Sequence, residues 1–153
     1  GGQTGVDQAA LQAAIDSGLD HGGWCPPERL CETGTIPAIY QLVTTPEERS
    51  ENAPEIARSM RTEWNARDSD GTLIIHGIDI DPGTKWTISA CHMYNKPYLI
   101  IHINRNDSVK LVTSWIREHS ICILNVAGPS EKQQPRIFET AYGFIKDLIN
   151  TPG

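Results

Sequence analysis

Long hydrophobic runs are missing from this chain. No apolar stretch approaches the roughly 20 residues that a membrane-spanning helix needs, so no membrane association is expected. No charged, apolar and cleavage-site regions follow one another as in a secretory signal. An excess of positive charge is missing too: the formal net charge is −6, which disfavours a general nucleic-acid groove. Cysteine is scarce. Cys25, Cys31, Cys91 and Cys122 are the four in 153 residues, and none forms a C-x-x-C pair. This argues against a disulfide framework or a zinc site and fits buried thiols in a reducing cytoplasm, where the protein is expected to reside. His21 and Cys25 could share a metal, but the spacing is weak and no metal site is expected. No Ser-His-Asp spacing, GxSxG elbow, HExxH or Walker lysine is present, so no catalytic residue is assigned.

What is present begins at the first residue. Gly1-Gly2-Gln3-Thr4-Gly5-Val6-Asp7 is a glycine-rich turn that runs into a helical pattern, with Val6, Ala9, Ala10, Ala13 and Ser17 on one stripe. Glycines let a backbone approach a ligand closely. A helix start carries unpaired N–H groups and about half a unit of positive charge. Together they form an anion site, most often for phosphate. Thr4 and Asp7 also fit a capping box with aspartate in the glutamate position. A phosphate turn of this kind hangs from a preceding strand. Such a strand is expected before Gly1, because a sheet without it would expose a long edge.

The remaining chain alternates short apolar strands with amphipathic helices. Helices are predicted over Val6–Ser17, Pro54–Asn65 and Thr84–Tyr94, from a cap at Asp107 through Ile116, and from Ile137 to Leu148. Strands are predicted over Gly71–His76, Pro97–His102 and Ile121–Val126. This order indicates a single α/β domain over residues 1–153, with a mostly parallel sheet covered on both faces. The irregular stretch Leu19–Thr45 is long enough to be a functional loop or lid.

Ligands of open parallel sheets bind beyond the carboxyl ends of the strands. The segments expected there are Gly1–Asp7, His76 through Asp79, Asp81, Gly83 and Thr84, His102 through Arg105, and Asn125 through Ser130 with Gly128-Pro129. Gly83-Thr84 is a second glycine turn at a helix start. In the polar run Thr62–Asp70, Arg67 could clamp a phosphate or close a buried ion-pair network with Asp68 and Asp70. Trp24, between glycines and prolines, is a candidate exposed stacking residue. Trp64, Trp86 and Trp115 read as core or interface.

The motifs GGQTGVD, HGGWCP, TEWNARDSDGTLII, PGT and LNVAGP occur in one order over nearly the whole chain. That combination resembles the putative molybdenum carrier family, a circularly permuted branch of the SLOG superfamily of Rossmann-like nucleotide-binding proteins. The resemblance implies a Rossmann-like three-layer sandwich. It implies a crevice for a phosphorylated small molecule, either a nucleotide or molybdenum cofactor (molybdopterin), a pyranopterin whose dithiolene holds the metal. It would place Gly2, Gln3, Thr4 and Gly5 around a first phosphate, with Gly1 opening the turn and Asp7 holding the loop or a ligand hydroxyl. Arg67, Asp68, Ser69 and Asp70 would form the floor, Gly83 and Thr84 a second anion turn, and Asn125, Gly128 and Pro129 the far wall. SLOG members that cleave nucleoside monophosphates carry PGGxGTxxE. Here the stretch is Pro82-Gly83-Thr84-Lys85-Trp86-Thr87, and threonine stands at the glutamate position. A binding protein is the first expectation. An enzyme acting on a nucleotide, using paired carboxylates among Asp7, Asp70, Asp79 and Asp81, is the second. A nucleotide-sensing regulatory module is the third. A homo-oligomer is compatible with each.

Overall fold

The computed structural model describes residues 1–77, 80–103 and 108–152. In chain order its elements are α1 (Val6–Asp16), β1 (Trp24–Cys25), β2 (Leu30–Cys31), β3 (Gly34–Thr35), β4 (Val43–Thr44), α2 (Ser59–Asp68), β5 (Gly71–His76), α3 (Pro82–Met93), β6 (Tyr98–His102), α4 (Ser108–Glu118), β7 (Leu124–Ala127) and α5 (Ile137–Asn150). Asp79, Arg105 and the expected helix cap Asp107 lie outside the described residues.

β5 occupies the centre of a parallel sheet ordered β6-β5-β7, with Ile74 opposite Ile100 and Leu73 opposite Val126. Its sequence GTLIIH is buried from Gly71 through Ile75, as a strand covered on both faces should be. Alternation then assigns the faces. Leu73, Ile75 and Ile101 enter a core shared with Val6, Ala9 and Ala13 of α1, Val112 and Trp115 of α4, and Ile137, Ala141 and Ile145 of α5. A smaller cluster of Ala66, Ala90, Cys91 and Tyr98 lies between α2, α3 and the sheet. The result is a Rossmann-like three-layer α/β sandwich. β1 pairs in parallel with β4, and β2 with β3 as an antiparallel hairpin.

The segment read as a loop or lid is docked onto α1. Leu11, Cys25, Ile36 and Tyr40 form its core, and the Tyr40 hydroxyl donates to Gln12 Oε1. The Arg29 guanidinium donates to the carbonyls of Pro37, Tyr40 and Leu42, which fixes the return limb.

Three expected boundaries shift for local reasons. α2 starts at Ser59 rather than Pro54 and runs past Asn65 to Asp68. Arg58 adopts a left-handed φ of 57°, and Ser59 Oγ binds both the Ser50 amide and the Ala53 carbonyl, holding the preceding residues in turns. β7 starts at Leu124 rather than Ile121, because Asp70 Oδ2 takes the amides of Cys122 and Ile123 at 3.0 and 2.8 Å. Cys122 is consequently exposed, not buried. At α1 the capping box does not form. Gly5 is the N-cap, at φ 84° and ψ −129°, and makes no side-chain cap bond.

Glu63 ties α2 to its surroundings. Its buried carboxylate accepts from the Ser50 hydroxyl, the Asn52 amide and the Tyr94 hydroxyl. Burial opposes its ionisation, yet these donors hold its value below the ordinary one. A depressed folded value stabilises above the ordinary carboxylate range, and the contribution disappears as pH falls through the folded value. Melting curves from neutral to acid pH should therefore show Glu63→Gln less stable at neutral pH and losing less on acidification than the parent.

Candidate functional site

Three helix starts converge at the carboxyl end of the sheet. α3 follows β5 directly. α1 begins beside the turn after β7, where the Val6 amide donates to the Pro129 carbonyl at 3.2 Å. α2 starts beside α3, since Trp86 Nε1 donates to the Ser59 carbonyl. The turn Gly1–Gly5 lies among them. Gly2 has a φ of 85°, and a Cβ there would meet Leu42 and Ile36 within 2.8 Å. The turn is thus packed under the Ile36–Leu42 return limb. At Gly128 a Cβ would stand 2.4 Å from the Ile75 carbonyl oxygen, so the far wall presses directly on the sheet.

Two arginines that the sequence reading passed over stand at this junction. Arg61 Nη1 donates to Asp7 Oδ2 at 3.2 Å, and the side chains are 18% and 5% exposed. Arg58 lies close enough to Arg61 to disfavour its charge. Burial pulls the Arg61 guanidinium below its ordinary value, and the Asp7 carboxylate partly restores it. Arginine nonetheless stays protonated. The Nε atoms of both Arg58 and Arg61 are buried with no hydrogen-bond partner. Arg61 alone is paired with the buried Asp7 carboxylate, and each arginine retains an unused donor. Buried polar groups normally find partners, which makes this pair a candidate anion contact.

The chain's own carboxylates already test the anion preference of the turns. Glu32, on the β2–β3 hairpin, accepts from both the amide and the hydroxyl of Thr4 at 2.9 Å. The Thr4 hydroxyl oxygen also accepts from the Glu131 amide. At the second turn, Asp81 Oδ1 accepts from the Thr84 amide at 2.7 Å, as an N-cap should. Its other oxygen accepts from Gln133 Nε2 at 2.6 Å, linking α3 to the loop after β7. The Gly83-Thr84 turn is therefore capped by Asp81, which answers one of its helix donors internally. A recess of about 620 Å³ opens on Thr4 and Gly5, walled by Gln8, Thr33, Glu131 and Arg136. Its size suits a small-molecule ligand.

The residues expected from the sequence fall into two groups. Gly1, Gly2, Gln3, Thr4, Gly5 and Asp7 meet the wall of Gly128 and Pro129, with Gly83 and Thr84 across the junction. Of the floor expected of Arg67, Asp68, Ser69 and Asp70, Asp68 and Ser69 line a cavity that also reaches Gly1, Asp7, Trp24 and Asn125, whereas Arg67 and Asp70 do not line it. Residues 67–70 end α2 and lead into the amino end of β5. Arg67 pairs with Asp68 at 2.8 Å, both well exposed, and its guanidinium lies 4.5 Å above the Trp64 ring. Trp24 is no free stacking platform. Its indole donates to Asp68 Oδ2, and its ring meets Trp64 edge-on at 4.8 Å. Asp70 holds the start of β7, and Ser69 bonds back to the Ala66 carbonyl. Asn125 donates to the Thr72 hydroxyl, bridging two strands. Asp7, Asp70 and Asp81 are each engaged elsewhere rather than paired with one another. His21 accepts from the Gln41 amide. Among the described residues no cluster of three or more His, Cys, Asp or Glu could hold a metal.

This arrangement changes what Arg67→Ala should do. An exposed ion pair contributes about 0–1 kcal/mol. Titration calorimetry with inorganic phosphate should show unchanged affinity, and the melting temperature should move little. A loss of phosphate affinity of tenfold or more would return Arg67 to the site.

No described helix is long and apolar enough to cross a membrane. No curated protein matches the chain. The chain is similar to a crystal structure of a "Putative molybdenum carrier protein" from Syntrophus aciditrophicus SB, at 38% identity and a TM-score of 0.87. The match covers 99% of this chain and 92% of that one. The family described as circularly permutated YpsA SLOG matches residues 1–149. Glycine turn, helix starts and parallel sheet thus stand in a known framework, and the chain belongs to the circularly permutated YpsA SLOG family.

Proposed function

We propose that this protein binds a phosphorylated small molecule, by its phosphate, where the Gly1–Gly5 turn meets the starts of α2 and α3. The observation that carries this reading is the pair Arg58 and Arg61, with buried unpartnered Nε donors beside the turn. In a chain of net charge −6, such a local cationic pair is a binding feature rather than part of a general field. Glu32 supports it by occupying the Thr4 amide as an anion would. Charge-assisted bonds from guanidinium and backbone N–H groups suit a phosphate monoester.

Molybdenum cofactor is the first candidate, because the similar protein is named a putative molybdenum carrier. A nucleotide is the second. The residues fit the phosphate end, and no metal ligand from the protein is required of a cofactor whose dithiolene holds the molybdenum. Binding without turnover agrees with Thr87. Its hydroxyl donates to the Gly83 carbonyl inside α3 and supplies no carboxylate for glycosidic cleavage.

Mass spectrometry of small molecules released from protein purified without added ligand should find a phosphorylated compound. Phosphate should compete with Glu32 for Thr4, so Glu32→Gln should bind inorganic phosphate more tightly than the parent. Equal or weaker binding would remove Thr4 from the site. Release of free base from nucleoside monophosphates at rates near the enzymatic range of about 1–10³ s⁻¹, abolished by changing Asp7 or Asp81, would replace binding with catalysis.

A further inference from the structure

β5 and β6 each end on a histidine, and the two stand in register, His76 opposite His102. Residues opposite one another on neighbouring strands share a face of the sheet. Alternation puts this pair on the face of Tyr98, which packs with Ala66, Ala90 and Cys91 under α2 and α3. The two rings lie 5.1 Å apart by their centroids, with their planes at 82°. His76 Nδ1 is buried without a hydrogen-bond partner, although buried polar atoms normally find one. Burial and the neighbouring imidazole push His76 below its ordinary value, so its ring is neutral at neutral pH and offers a lone pair. The Gln134 carboxamide lies against Gly77, the next residue, where a Cβ would collide with it. The pair therefore stands where the loop after β7 crosses the carboxyl end of the sheet. Ligands of open parallel sheets bind at that end.

We propose that His76, through Nδ1, and His102 together bind a divalent late transition metal of the Zn²⁺, Co²⁺ or Ni²⁺ class. Imidazole nitrogen suits these ions, whereas Mg²⁺ and Ca²⁺ demand oxygen. The separation of the rings fits an ion between them. Two imidazoles on a tetrahedral ion, with metal–nitrogen bonds of about 2.0–2.1 Å, have centroids about 5 Å apart. An edge-to-face ring contact alone would account for the angle but would leave Nδ1 unanswered. A metal answers it. Binding takes one nitrogen from each ring, and a ligand histidine ordinarily gives the other to an outer partner. No third His, Cys, Asp or Glu completes a metal cluster among the described residues. The site is therefore an open one, with the remaining positions of the ion left to water or an oxyanion, unlike a closed structural site. The assignment does not depend on Arg58 or Arg61.

Zn²⁺ titration calorimetry of the full chain should show one ion bound per chain. His76→Gln and His102→Gln should each weaken that binding by at least about tenfold, since even outer partners of metal ligands cost about 10–100-fold. His92→Gln is the control, because the His92 ring meets only Tyr98 edge-on, away from the pair. It should bind Zn²⁺ as the parent does. Melting curves check that each variant folds. Co²⁺ absorption supplies a readout on the unaltered chain, whether or not the variants fold. It should show the intense visible bands of a four-coordinate ion without the near-ultraviolet band of a thiolate ligand. A thiolate band would assign the metal to Cys31 or the exposed Cys122 and overturn the proposal. So would a parent that binds no Zn²⁺, a loss in only one of the two folded variants, or an equal loss in His92→Gln.

Discussion

Arg61→Ala should abolish measurable phosphate binding and lower stability by about 3–5 kcal/mol, the usual cost of breaking a buried ion pair from one side. The two losses have different origins. Binding fails because the cation at the first turn is gone. Stability falls because the buried Asp7 carboxyl, 5% exposed, loses its guanidinium partner. The Gln3 amide at 3.4 Å and the Gly1 ammonium at 3.9 Å also face it, and two such long contacts do not replace the guanidinium bond to a desolvated carboxylate. Pairing Arg61→Met with Asp7→Asn separates the effects. Removing both charges together is often near neutral, so the double variant should recover most of the stability and still fail to bind phosphate. Denaturant titration and calorimetry on the same preparations measure both quantities. If Arg61→Ala keeps its phosphate affinity, the arginine serves Asp7 alone and the binding reading loses its main support.

Residues 71–76 show which part of this fold was legible in sequence. Four apolar or β-branched side chains stand between a glycine and a histidine, and β5 has those bounds. The pattern is strong because burial on both faces leaves no room for polar residues. α5 was equally readable, with Ile137, Ala141 and Ile145 on one stripe. The start of α2 was not. It depends on Ser59 and Arg58 making contacts set by the loop before them, and no helical period records those.

The candidate site divides in the same way. The glycine turn announced itself because glycine at positive φ is a local requirement. Arg58 and Arg61 did not, because the carboxylate that answers Arg61 is Asp7, far away in sequence. Arg67 drew attention instead, since it stands in a conspicuous run of polar residues. The faint signal was helical spacing. Arg58 and Arg61 are three apart and share one face at the helix start, where two cations oppose the helix dipole. Such an arrangement is unfavourable unless an anion answers it. Glu32 had no local signature, since its role rests on a hairpin folded back across the turn.

Gly5→Ala should be the most damaging glycine substitution at the site, costing at least about 3 kcal/mol. Two independent terms add. At φ 84° and ψ −129° the backbone lies outside the left-handed helical region that other residues tolerate, which costs about 1–3 kcal/mol. A Cβ there would also stand 2.5 Å from the Pro129 carbonyl oxygen and 2.7 Å from the Glu131 nitrogen. These are backbone atoms, held by the Val6–Pro129 bond and by the Thr4 hydroxyl, so they cannot swing aside as a flexible side chain could. Two other glycines serve as controls. Gly18 has φ +72° with nothing within 4 Å of a Cβ, so Gly18→Ala should cost only the conformational term, about 1–2 kcal/mol. Gly143 lies inside α5 with equally open space, so Gly143→Ala should stabilise by about 0.5–1 kcal/mol. Urea unfolding of the three variants should therefore give a large loss, a small loss and a small gain. Gly5→Ala unfolding like Gly18→Ala would mean that the wall of Pro129 and Glu131 yields, and that the first turn is softer than a preorganised phosphate site requires.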